Sequence, residues 1–265
     1  MHCLFCRADS AGSHSREHII PESLGNTTLV LPAGVVCDRC NNYFSREVEK
    51  PFLESAAIAF LRFRQRIPSK RGLIPPMCGV LKPRFPAIVR MRLKGPTIGD
   101  VYLPPEAIDH LLAENGGELI FPAEAPLPTG SVVSRFLAKA ALEKMAQRVI
   151  SHAGGVDYLA NEPQLDSIRS HARRGSQPHW PVNVRRIYGE NRRWIDSKGA
   201  EVQVLHESDI LKTETNEYYY ILALFGLEFA INFGGAEIDG YRYWLSHHGM
   251  VSPLYYGKNE HGDLR

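Results

Sequence analysis

"EHIIPESLGN", residues 17–26, lies between two cysteine pairs, "CLFC" at 3–6 and "CDRC" at 37–40, and the second pair runs directly into Asn41 and Asn42. A two-residue gap lets both thiolates of a knuckle turn toward one ion, and two knuckles complete the tetrahedral four-sulfur shell that Zn2+ favours. Cys3, Cys6, Cys37 and Cys40 are therefore expected to hold a structural zinc ion. The competing reading, four unrelated buried cysteines, does not account for the paired spacing. Thirty residues separate the knuckles, more than the roughly fifteen to twenty of a compact zinc ribbon. The loop between them must have content of its own. Cys78, the fifth cysteine, is expected to be a small buried residue rather than a ligand.

Inside that loop Glu17 immediately precedes His18. An isolated histidine is most often a surface or capping residue, so the flanks decide its reading. Adjacent residues on a strand face opposite sides. One side can then offer a carboxylate to a metal while the other offers an imidazole able to take a proton near neutral pH.

These four elements, in this order and spacing, resemble the HNH endonucleases. That family's first motif is an acid or histidine followed by His and a run like "IIPxSxGG", which "EHIIPESLGN" fits almost residue for residue. Its last motif is often "LCxxCH", and "VCDRCN" fits with Asn41 in the final position. The resemblance covers roughly residues 1–50 and implies a zinc-braced ββα-metal fold. It implies that His18 is the general base, and that Glu17 and Asn41 ligate a catalytic Mg2+ or Mn2+. Asn42 is the alternative to Asn41, which the spacing after Cys40 favours. One element departs: the family's middle Asn falls where this chain has Pro32, and Asn26 is the candidate for that orienting amide.

Charge supports a polyanion partner for the front of the chain. Residues 1–94 hold 15 Lys and Arg against 7 Asp and Glu, whereas residues 95–265 hold 16 against 22. Arg62, Arg64, Arg66, Lys70 and Arg71 crowd the end of an expected helix, "PFLESAAIAFLRFRQR", where cations suit the helix dipole and could equally meet phosphates. No signal-peptide run or stretch of membrane-span length is visible, and five cysteines do not make a disulfide scaffold, so a cytoplasmic protein without a membrane role is expected.

Further along, "IPSKRGLIPPMCGVLKPRFP" reads as a linker, and "AIVRMRLKG" as a strand with Val89, Met91 and Leu93 on one face. "SVVSRFLAKAALEKMAQRVISH" reads as a core-packing helix without chemistry, and the aromatic tail as a hairpin with a further strand at "YRYWLSHHG". The fold class expected is α+β, with an HNH module over 1–70 and a larger α+β domain over 71–265. That second domain is expected to serve target recognition, regulation or docking of a protein partner or second copy. The functional expectation is a metal-dependent nuclease acting on nucleic acid, double-stranded DNA before RNA, compatible with restriction or anti-phage defence. The alternatives are a non-catalytic zinc module that binds nucleic acid and a protein-interaction module in which zinc is only a clip.

Overall fold

In the computed structural model, residues 1–92, 99–126, 130–175, 180–196 and 198–259 are described. The fold mixes helix and sheet, as the α+β reading requires. Two compact units are present: Met1–Pro21, Gly25–Pro51 and Thr129–Arg265 make the first, and Glu22–Leu24 and Phe52–Pro128 the second. This cut by contacts differs from the cut at residue 70, which followed the extent of the motifs.

The first unit opens with the Cys3–Cys6 knuckle, closed by Arg7 N–H on Cys3 O (2.9 Å) and Cys3 N–H on Ala8 O (2.9 Å). Strands β1 (Glu17–His18) and β2 (Val30–Leu31) pair antiparallel, Glu17 with Leu31 and His18 with Val30. Helix α1 (Asp38–Phe44) follows directly from Cys37, so the second knuckle is also the start of a helix. The helical path continues through a wider π turn, Ser45–Glu49, into α2 (Lys50–Glu54).

That π turn has an identifiable cause. Pro51 has no N–H, so the carbonyl four residues earlier, on Glu47, loses its helical donor. Arg135 supplies a substitute, its Nη1 lying 3.4 Å from Glu47 O. The single helix expected from Pro51 onward is instead two. Ser55 adopts an extended ψ of 144° and bonds Phe52 O through its hydroxyl (2.6 Å), and α3 (Ala56–Arg64) starts afresh.

In the second unit, the run expected to be a linker contains β3 (Met77–Leu81), which pairs with β4 (Phe85–Arg90) from Met77–Val89 to Leu81–Phe85. Proline and glycine around it masked a strand that its neighbour creates. Cys78 lies on the exposed side of β3, not buried as expected, because alternation sends it away from the small core of Phe63, Ile74 and Val89. β5 (Asp100–Tyr102), helix α4 (Pro105–Ala113) and β6 (Leu119–Ile120) complete the unit, with sheet order β5-β4-β3-β6. Leu93 and Lys94 of the expected strand fall outside the described residues.

The rest of the first unit surrounds α5 (Ser131–Val149), which packs on α6 (Gly155–Asn161), α7 (Asp166–Arg174), the π turn and a sheet. That sheet comprises β7 (Asn183–Arg186), β10 (His206–Lys212), β11 (Tyr218–Leu224) and β12 (Leu227–Asn232), in the order β10-β11-β12-β7. A ribbon of β8 (Trp194–Ile195) and β9 (Glu201–Val202) lies between β7 and β10 in the chain. All but the first residue of β11, and all of β12, are buried; β11 is apolar and aromatic throughout, while in β12 buried Glu228 is met by Arg185, Tyr241 and Ser252. "YRYWLSHHG" is not a strand but part of α8 (Asp239–His247). Tyr241 and Leu245 share its buried face one turn apart, and the Glu237 carboxylate accepts the N–H groups of Asp239 (2.9 Å) and Gly240 (3.2 Å) at its start. A short α9 (Tyr255–Lys258) follows.

Candidate metal centre and catalytic motif

The four cysteines form one cluster. One ligand atom from each of Cys3, Cys6, Cys37 and Cys40 lies within 4.8 Å of every other, the spread expected of a tetrahedral sulfur shell. The Cys37 backbone N–H points at Cys3 Sγ (3.3 Å), the kind of bond that stabilises thiolate charge. A hydrogen bond from Cys40 draws the pKa of the Cys3 thiol down, and the same bond pushes that of Cys40 up. Thiolate sulfur in this number and spacing fits structural Zn2+. A cleft of about 670 Å3 passes this cluster, and Arg39, Arg173 and Arg174 line it with Tyr43. Asp9 and Asp38 line the same cleft, so its charge is mixed.

Helix α1 links the second knuckle to the segment that carries Glu17 and His18. Asp38, in its first turn, accepts the N–H groups of His14 (3.1 Å) and Ser15 (2.8 Å), which holds its carboxyl below the ordinary range. Asn41, one turn on, donates from Nδ2 to Arg16 O (3.3 Å), the carbonyl just before Glu17. This bond uses the amide nitrogen; the amide oxygen is a hard donor of the kind that suits Mg2+ or Mn2+. Glu17 is 4% exposed and His18 half-buried, as adjacent residues of a strand with one inner face should be. A carboxylate and an amide oxygen are a donor set that fits a hard divalent cation.

Asn26 is fully buried and acts wholly on backbone. Its Nδ2 donates to Ile20 O (2.6 Å) and Leu29 O (3.0 Å), and its Oδ1 accepts from Thr28 N (3.0 Å) and Leu29 N (2.8 Å). The amide thus ties together both ends of the loop joining β1 to β2.

The expected basic stretch divides. Arg64, Arg66, Lys70 and Arg71 are exposed, with Arg64 over the Phe60 ring (5.5 Å) and Lys70 near Glu22 (3.6 Å). Arg62 is only 5% exposed, and burial lowers its pKa. It is no surface contact for phosphate. The stretch belongs to the second unit, whereas Glu17, His18 and Asn41 belong to the first.

Sequence reasoning missed a buried ionic cluster on α5. The Lys139 ammonium, fully buried, lies 2.8 Å from Glu17 Oε1, 2.8 Å from Glu49 Oε1 and 3.0 Å from Glu143 Oε2. Burial opposes its charge, but Glu143, Glu17 and Glu49 outweigh burial and hold its pKa well above the ordinary lysine value. Burial drives the pKa of the Glu143 carboxyl well up, against the pull of the Lys139 ammonium beside it. Lys139 and Glu143 were legible only as a charged pair four residues apart, which usually marks a solvated face.

Among known proteins, residues 3–56 match the model of a family described as HNH endonuclease. No curated protein and no solved structure matches the chain. Among the described residues, no helix is long and apolar enough to cross a membrane.

Proposed function

We propose that this protein is a metal-dependent endonuclease, since residues 3–56 match the model of a family described as HNH endonuclease, which implies cleavage of nucleic acid. Its substrate is double-stranded DNA. One observation supports the reading: the Asn41 amide on α1 donates to Arg16 O (3.3 Å), the carbonyl directly before Glu17 and His18 of β1.

In this proposal the His18 imidazole takes a proton from the attacking water, and Asn26 fixes the loop that aims it. Glu17 and Asn41 hold a Mg2+ or Mn2+ ion, which when bound supplies Lewis-acid stabilisation of the phosphate and the leaving oxygen. Cys3, Cys6, Cys37 and Cys40 carry Zn2+ without taking part in chemistry. Arg64, Arg66, Lys70 and Arg71 neutralise phosphates, without Arg62. A role in restriction or anti-phage defence and a cytoplasmic setting agree with this reading, as does a recognition or docking role for the chain beyond the HNH module.

The test incubates purified protein with supercoiled plasmid, single-stranded DNA and RNA, with and without Mg2+ or Mn2+. Metal-dependent cutting is expected, and His18→Ala should reduce it about 10²- to 10⁴-fold with zinc content and DNA binding retained. Cutting undiminished in His18→Ala would exclude its role. Replacing Arg64, Arg66 and Arg71 together should weaken binding of all sequences alike and lower the salt slope by about 0.9 per lost contact. One observation favours a second reading, a zinc module that binds nucleic acid without cleaving it: Glu17 Oε1 is already held by Lys139. Salt-dependent binding with no cutting in any metal would select that reading.

A further inference from the structure

We propose that Lys139 is a positioning residue for the nuclease motif: from α5 it sets the orientation of both Glu17 and His18. The inference rests on the nuclease reading above.

Strand β1 is two residues long, pairs with the two residues of β2, and is extended by Ile19 N–H on Leu29 O (3.1 Å). Two residue pairs are too little to fix a strand on their own. Asn41 on Arg16 O and Asn26 on Ile20 O hold its flanks, and a constraint on Glu17 and His18 themselves comes from α5. Lys139 Nζ lies 2.8 Å from the Glu17 carboxylate and donates to the backbone carbonyl of His18 (3.2 Å). A single ammonium thereby holds the side chain of one motif residue and the peptide of the next. Glu49 at the end of the π turn and Glu143 one turn along α5 hold the ammonium from its other sides. Strand, π turn and helix thus converge on one buried point, and their geometry is mutually dependent.

The arrangement also explains the charge. Three carboxylates face one cation in a site closed to water, so without Lys139 the carboxylates of Glu49 and Glu143 would repel that of Glu17. Glu17 would then turn from the direction it needs toward a divalent ion. Residues that orient a metal ligand without touching the metal commonly cost about 10–100-fold in affinity or activity when lost.

The experiment compares wild type, Glu143→Gln, and the double variant Lys139→Met with Glu143→Gln, which removes one charge of each sign. Each is assayed for zinc content, for Mn2+ binding by electron paramagnetic resonance, and for plasmid cleavage over a range of Mn2+ concentration. Glu143→Gln leaves Lys139 with Glu17 and His18 and should bind Mn2+ with a midpoint near that of wild type. The double variant should retain zinc yet shift that midpoint upward about 10–100-fold, with cleavage following it. Equal Mn2+ binding and cleavage in a zinc-loaded double variant would overturn the role. If the double variant does not fold, wild-type protein gives the answer through the Lys139 side-chain resonance. Mn2+ at the proposed site should broaden that resonance at the concentration that supports cutting, and a resonance that Mn2+ leaves sharp overturns the proposal. Wild-type protein that cleaves no substrate in any metal sinks the nuclease reading itself, and Lys139 with it. A wild type that cleaves beside an equally competent double variant sinks Lys139 alone.

Discussion

The two four-stranded sheets among the described residues are built on opposite terms. In the first unit β11 and β12 are buried nearly throughout, with Tyr219, Ile221 and Ala223 packed against Tyr241 and Leu245 of α8. In the second unit Val80, Ile88, Tyr102 and Ile120 are exposed, and the core beneath is a small cluster around Phe63, Ile74 and Val89. The proposed catalytic residues lie in the unit with the closed sheet. That choice has a physical sense, because a buried ammonium with three carboxylates needs rigid, water-excluding walls. A half-open sheet does not provide them.

The same unit also clamps the metal knuckles. Arg169 donates to Leu4 O (2.9 Å) and Leu159 O (2.7 Å), and Arg7 donates to Ala160 O (2.7 Å), so α6 and α7 hold the loop of the first cysteine pair. Arg135 links α5 to Tyr43 of α1 (2.8 Å) and to Arg173 O (2.9 Å). The zinc module is embedded in the C-terminal part of the chain rather than appended to it.

The largest test of this contrast is loss of zinc. Structural zinc sites contribute apparent free energies of about 10–16 kcal/mol, more than the whole stability of a typical domain. Cys3→Ser or Cys37→Ser should therefore unfold the first unit, read by circular dichroism and elemental analysis. Well-folded wild-type protein without zinc would break the comparison. A smaller effect should separate the two sheets directly. Leu222→Ala, in fully buried β11, should cost about 2–5 kcal/mol by denaturant titration. Val80→Ala, on exposed β3, should change stability by no more than about 0.5 kcal/mol. Comparable costs would mean that the second sheet is covered in solution.

The smallest effect is one of pH. Burial, with Lys144 nearby, lowers the pKa of His206 on β10 below its ordinary 6.5. The unfolded chain then binds more protons at this position than the folded one, so stability falls as pH drops below about 6.5 and levels off below the folded pKa. The urea midpoint should decline between pH 7.5 and 5, and His206→Gln should flatten that decline. A midpoint equally steep in the variant would assign the effect elsewhere.

Much of the site was written locally. The two-residue gaps of the cysteine pairs, the adjacency of Glu17 and His18, and Asn41 directly after Cys40 are spacings of a few residues, and short spacings survive into geometry with little help. Helix α5 was legible through its three- and four-residue apolar spacing, and the hairpin of β11 and β12 through its aromatic, strand-forming composition. The parts that were not legible depended on partners far along the chain. Strand β3 exists because β4 lies beside it, Cys78 is exposed because of which face of that pair is covered, and "YRYWLSHHG" is helical because a closed sheet received one side of it. Arg62 looked like its exposed neighbours until the packing around α3 buried it.

By itself the sequence determined a four-cysteine metal site and the order of a nuclease-like motif, because both are matters of residue type at fixed short distance. Only the tertiary structure decided what stands behind that motif. Nothing near Lys139 in the chain distinguishes it from a solvated lysine four residues before a glutamate. Its meaning comes from Glu17, Glu49 and the His18 carbonyl, brought to it from two other elements. A buried charge is defined by the sum of its surroundings, and a linear pattern carries no record of that sum.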